Sequence, residues 1–251
     1  MHEQGSFFSA LDPNPNDETS SNMRNCKADG CFKQTNGYSS YCERHKRTLA
    51  RHGHPHQIGI KKSDLKPYIK DIETYLTTKS ASNSNAILND IWARTVRKAQ
   101  DHTHGASNGV PFNGHSMNAS KAIVSLSKEI DSATICKVLM AMGFWYEFNQ
   151  RQWKYDEGFR FQTVRMLLRL NPREAAYEWS MHGLTRSVYR EVPPKTIKAI
   201  WSIINETKLV GFGMEIAKRT EKELKARRQR FDEERTAIIG LDRTEQRGET
   251  V

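Results

Sequence analysis

No apolar run in the sequence approaches the ~18 residues that a membrane-spanning helix requires. The opening MHEQGSFFSALDPNPND also lacks the basic start and apolar stretch of a secretion signal, so a soluble, cytoplasmic protein is expected. There is no GKT or GKS phosphate loop, no Rossmann glycine triplet after a strand and no GxSxG elbow. The common nucleotide-dependent and hydrolase chemistries therefore lack support. Strand signals are few, which points to a mostly α protein. Residues 1–23 contain no Lys or Arg and are rich in Asn, Ser, Asp and Pro, the composition of a disordered leader.

Cysteine is scarce, at 4 in 251 residues, yet three of the four fall within one short segment, RNCKADGCFKQTNGYSSYCERHKRTLARHGHP. Cys26, Cys31, Cys42 and His45 stand there as Cys-x4-Cys-x10-Cys-x2-His. Zinc takes four such donors at the corners of a tetrahedron, commonly one pair from a turn and one from a helix start. Disulfides are the alternative, but only three of the four cysteines lie in this segment, His45 completes the set and a secretion signal is missing, all of which argue against them. Asn36-Gly37 suits a tight hairpin turn, with the chain going out along Phe32–Gln34 and returning along Tyr38–Tyr41. Cys42 and His45, three apart, then share one face of a helix that Leu49 and His52 continue. Arg44, Arg47 and Arg51 follow the opposite face, with Lys46 at its flank. So short a segment cannot bury enough apolar surface to fold unaided, and zinc binding would supply on the order of 10 kcal/mol.

The Cys-x4-Cys knuckle, the YC-x2-H step, the basic helix and the closing RHGHP together resemble a small treble-clef-type zinc module. Such modules recur in phage and mobile-element proteins, often beside an HNH-type endonuclease. The resemblance covers about an eighth of the chain. It implies association with DNA through the basic helix, and those relatives commonly carry an acidic residue where His54 stands.

The net charge of +10 favours a polyanionic partner, nucleic acid and foremost DNA. After the module, HGHPHQIGIKK reads as a short linker with an exposed turn. Two other readings of it are an Arg held against a narrow minor groove and a second metal site at His52, His54 and His56. Helical patterns follow from Ser63 and from Ser84, the latter ending near Gly105. Asp101, His102, His104, His115 and Asn118 would then share a Gly-rich loop. These are residue types that an HNH-type nuclease uses with a divalent cation, although the preceding segment reads as helix and the bracketing cysteines are missing.

Further helices are expected from Asn118 or Ser120, and from Asp131 to Gly143. They could form a helix-turn-helix, but the second is too apolar to read bases. In FWYEFNQRQWKYDEGFRFQ the aromatic rings read mainly as core, with a possible hairpin turning at Asp156-Glu157-Gly158. Arg151 and Lys154 are candidate phosphate contacts there. Asn171-Pro172-Arg173-Glu174 has the form of a helix start, for a helix running to about Gly183, and Pro193-Pro194 begins another. After Gly211-Phe212-Gly213 a charged helix carries Ala217, Leu224, Phe231 and Ile238 at heptad spacing, a thin seam that a protein partner could use. The last residues look frayed.

The layout expected is a leader over 1–23, a zinc-binding module over 24–58, a mostly helical domain over 63–210 and a charged helix with its tail over 211–251. The leading functional expectation is a zinc-dependent DNA-binding protein in which Arg44, Lys46, Arg47, Arg51, Arg151 and Lys154 meet the nucleic acid. The alternatives are a metal-dependent nuclease using His102, His104, His115 and Asn118, and a zinc-folded interaction or assembly adaptor.

Overall fold

From Ile135 to Trp145 every residue except Lys137 is buried, and a helix that is apolar all round belongs in an interior. The computed structural model describes residues 24–35, 38–78, 83–171, 176–181, 184–189 and 191–248. The leader, the Asn36-Gly37 turn and the Pro172–Glu174 part of the expected helix start lie outside these residues. The chain divides into two compact units, Met1–Lys46 and Arg47–Val251.

As expected, the protein is mostly α. Helix α1 spans Glu43–His52, α2 Lys62–Thr78, α3 Ser84–Ser107, α4 Gly114–Glu129, α5 Ser132–Phe148 and α6 Asp156–Leu168. Helices α7, Pro194–Glu206, and α8, Leu209–Gly248, follow. Strands β1, Arg24–Asn25, and β2, Gln34–Thr35, pair antiparallel, as do β3, Ala176–Met181, and β4, Leu184–Tyr189. No described helix is long and apolar enough to cross a membrane.

The central helix of the larger unit is α5, packed against α2, α3, α6 and α8. Asp131 caps it by accepting the Thr134 N–H at 3.1 Å, where the sequence placed its start. It does not stop at Gly143, nor does α8 wait for Gly213. Both glycines sit inside their helices, where α5 and α8 cross with backbones nearly touching. A Cβ added at Gly143 would stand 1.9 Å from the Val210 carbonyl oxygen, and one at Gly213 would stand 1.9 Å from that of Met140. These glycines permit a close approach rather than end a helix. Because α5 is core, the helix-turn-helix reading has no exposed recognition helix to use. Cys136 is also core, with no exposure and a thiol that burial pushes up to about 12.

Four further expectations are corrected. The helix expected to run to Gly183 is instead the β3–β4 hairpin, whose register pairs Ala176 with Tyr189 and Met181 with Leu184. The stretch AYEWSM…LTRSVY alternates with period two and is rich in aromatic and β-branched residues, and this outweighed an N-terminal cap signal. The hairpin expected at Asp156-Glu157-Gly158 is the first turn of α6, where Asp156 and Glu157 oppose the positive end of the helix dipole. Helix α3 runs through Gly105 to Ser107 and stops before Gly109, at φ +85°, so the expected loop shrinks to residues 108–113. The tail expected to fray is helical as far as Gly248.

A fifth correction concerns the segment after α1, which is not an exposed linker. Gly53, at φ +76°, closes α1 by donating its N–H to the Leu49 carbonyl at 2.8 Å, the usual left-handed stop with a proline soon after. From there Gly53, Pro55, Gln57 and Ile60 are buried. Helix α6, with Arg169 just past its end, grips this strap through three side chains and close packing. Arg165 donates to the Arg51 carbonyl, and Arg169 Nη1 donates to the Ile60 carbonyl at 2.8 Å. Gln162 Oε1 accepts the Ile60 N–H at 3.3 Å, and its Nε2 lies 2.7 Å from His52 Nδ1. Gly158 leaves room for the Gln57 amide, which would lie 2.6 Å from a Cβ there.

Candidate metal centre

Within the smaller unit, β1 leads directly into Cys26. The Cys26 N–H bonds to the Lys33 carbonyl at 2.9 Å, and the Cys31 N–H bonds to that of Ala28 at 3.0 Å. The turn between the two cysteines needs a left-handed residue, and Gly30 supplies it at φ +70°. The strand that pairs with Gln34–Thr35 is therefore Arg24–Asn25 rather than the expected return along Tyr38–Tyr41. The reason is that the knuckle folds back on the residues before its first cysteine. Cys42 stands just before α1, its carbonyl accepting the Lys46 N–H at 2.9 Å, so Cys42 and His45 share the first turn of the helix as the spacing predicts.

The four donor atoms all lie within 4.8 Å of one another. Cys31 Sγ is 3.9 Å from Cys42 Sγ, and His45 Nδ1 is 3.4 Å from both Cys26 Sγ and Cys42 Sγ. A zinc tetrahedron with ordinary bond lengths has S···S edges of about 3.8 Å and S···N edges of about 3.5 Å. These three separations are close to such edges and well beyond a disulfide bond, and all four cysteines of the chain are free thiols. Among the described residues no other group of three or more His, Cys, Asp or Glu is gathered in this way.

The electrostatics suit a cation. Burial alone would raise the Cys26 thiol, but the backbone of Cys42 and Ala28 and the His45 ring together bring it down to about 6. The Cys42 N–H donates to Cys26 Sγ at 3.3 Å, an orientation that favours thiolate. Cys31 goes the other way: the Lys33 backbone favours its thiolate, but burial and the neighbouring Cys26 and Cys42 sulfurs outweigh it and raise the thiol. Close-set sulfurs resist a second negative charge, and a bound cation removes that resistance. Cys26 and Cys42 are buried while Cys31 and His45 are half-buried, so the site is closed by its own ligands. The knuckle glycine and the N–H···S bond escaped the sequence reading; the Asp29-Gly30 pair between the first two cysteines was the available signal.

The other candidate residues are dispersed. His102 lies on α3 with Nδ1 3.0 Å from Ser120 Oγ, and His115 lies on α4 with Nδ1 3.0 Å from Thr196 Oγ1. His104 and Asn118 are exposed on α3 and α4 respectively. In the strap, His52 faces Gln162, and His54 accepts the His56 N–H at 3.2 Å while packing on Tyr155 with ring centroids 4.5 Å apart. These three rings thus have separate structural engagements. Arg44, Lys46, Arg47 and Arg51 are exposed on α1, Arg51 being paired with Glu191 at 2.5 Å. Arg151 and Lys154 are also exposed. On α8, Ala217 is buried, whereas Leu224 and Phe231 are 44% and 64% exposed.

Compared with protein-family models, curated proteins and solved structures, the chain has no match.

Proposed function

We propose that Cys26, Cys31, Cys42 and His45 form a structural zinc site and that the protein is a zinc-dependent DNA-binding protein of phage or mobile-element type. The observation that carries the zinc reading is the set of donor separations, 3.4 Å for sulfur to nitrogen and 3.9 Å for sulfur to sulfur. Other metals accept such donors, but four-coordinate sites of three thiolates and one imidazole with no open position are typical of zinc. Zinc would here hold the knuckle to the start of α1 and do no chemistry of its own. The DNA reading rests on the chain's charge of +10 and on the exposed Arg44, Lys46 and Arg47 of α1, with Arg51 beyond them.

The test is a gel-shift series with zinc-loaded protein, labelled single- and double-stranded DNA, and salt as the variable. Three phosphate contacts would give a slope of log affinity against log salt of about −3 on duplex, and losing Arg44 or Lys46 to Gln would flatten it by about 1. Affinity unchanged by zinc removal, or a retarded band insensitive to salt, would defeat the proposal. Strands shortened only in the presence of magnesium would move attention to His102 and His115.

A further inference from the structure

Helices α3 and α7 both pack on α4 and hardly on each other, which leaves a cleft of about 450 Å³ between them in the larger unit. That volume lies within the range of small-molecule sites. The chemistry of its walls is organised by helix. From α3, Arg94, Lys98 and His102 enter at intervals of four, so they form one ladder along one face. From α4 come Ser116 and Ser120, again four apart, and from α7 come Ser202 and Glu206 at the same interval. The floor between these polar rows is apolar, made by Ala99, Ala199 and Ile203.

One of the three serine hydroxyls is already committed and enclosed. Ser120 is 3% exposed and meets His102 Nδ1 at 3.0 Å. The side-chain hydroxyls of Ser116 and Ser202 make no hydrogen bond among the described residues, and both residues line the cleft, from two different helices. The two cations hold only weak partners. Lys98 reaches across to Glu206 at 3.2 Å, and Arg94 pairs with Asp90 of its own helix at 3.1 Å, every one of these side chains being more than half exposed. Exposed ion pairs of this kind are easily exchanged for a better ligand.

We infer that this cleft binds a small phosphate monoester bearing a flat or apolar ring, a compound of nucleoside-monophosphate size. A phosphate presents acceptor oxygens in three directions, and the cleft presents donors from three helices: Arg94 and Lys98, Ser116, and Ser202. A planar carboxylate would use only part of that arrangement. The ring would cover Ala99, Ala199 and Ile203, and Glu206, released by Lys98, would accept from sugar hydroxyls. The inference is independent of the metal site, because every lining residue belongs to the larger unit.

The experiment is calorimetric titration of AMP into the zinc-loaded full-length protein, with adenosine and inorganic phosphate as comparisons. AMP binds saturably and adenosine far more weakly. Arg94→Gln and Lys98→Gln each weaken AMP by roughly tenfold, the loss of one charge-assisted contact. Ser202→Phe, a change at an exposed rim position, blocks binding while the thermal melt stays that of the parent protein. Cys42→Ser leaves AMP binding in place, so failure of the DNA reading and failure of this one are separable. Competition by a 5′-phosphorylated oligonucleotide, but not by its unphosphorylated form, assigns the natural source to a nucleic-acid end, and lack of competition assigns it to a free nucleotide. The inference is overturned if AMP does not bind in the millimolar range, if adenosine binds as well as AMP, or if affinity survives both cation variants and Ser202→Phe.

Discussion

Replacing Gly143 by alanine sets two opposed effects against each other. Alanine is the better helix former by about 1 kcal/mol, and Gly143 lies inside α5, so local propensity alone predicts stabilisation. The added methyl, however, would stand 1.9 Å from the Val210 carbonyl oxygen, 1.5 Å short of the 3.4 Å at which ordinary contact begins. The obstacle is backbone, so no rotamer change relieves it, and α5 and α8 must separate along their crossing. Overpacking of this kind costs up to about 3 kcal/mol, and the separation loosens neighbouring contacts too, leaving a net loss of about 2 kcal/mol or more. For a unit of this size that is roughly a 4–8 °C fall in melting temperature. Gly213→Ala meets the same gap against Met140 and should behave alike. The double variant should lose less than the sum, because one separation accommodates both methyls. Gly211, two residues away on α8, has nothing within 4 Å of its would-be Cβ, so Gly211→Ala should instead gain about 0.5–1 kcal/mol. Thermal and urea unfolding followed by the helical circular-dichroism signal measures all four. If Gly143→Ala or Gly213→Ala is as stable as the parent, or Gly211→Ala is as damaging as they are, the close crossing is refuted.

Burial, with Arg165, Arg169 and Arg51 nearby, lowers the His52 pKa from 6.5 to about 4, so the folded state prefers the neutral ring. Its contribution is therefore complete above the unfolded value and is lost as pH falls from about 6.5 towards 4; for a half-buried group this amounts to about 1–2 kcal/mol. His52→Gln should flatten the fall in stability between pH 7 and pH 5 relative to the parent, and an identical pH profile would count against the neutral role. Removing zinc with a chelator should abolish amide-exchange protection at Cys26, Lys27 and Cys31 while the helical signal of residues 62–206 persists, because the core of the larger unit contains none of the four ligands. Loss of all structure together would contradict that separation.

What could be read from the sequence was whatever a local signal determines by itself. The Cys-x4-Cys-x10-Cys-x2-His spacing led to donors that do converge, and Asp131 and Pro194 start helices where capping chemistry put them. The misread positions are those where one residue type serves two physical ends. Gly143 and Gly213 have the form of helix boundaries, and only the partner helix reveals that they allow contact. Gly53 and Pro55 look like an exposed turn, and only α6, about a hundred residues on, shows that the strap is buried. At Asn171 a good cap signal concealed the two-residue alternation that followed. The α3–α4–α7 cleft could not be foreseen, because its walls come from three segments that no local pattern connects.

Whether Cys26, Cys31, Cys42 and His45 bind one metal ion is decided by metal analysis of the purified protein with cobalt as a spectroscopic substitute. One equivalent of zinc per chain is expected. Replacement by cobalt should give the intense visible absorption of tetrahedral coordination together with thiolate charge transfer, and both should be lost in Cys42→Ser. A protein that purifies without stoichiometric metal and gives cobalt only the faint spectrum of an octahedral aqua ion would contradict it.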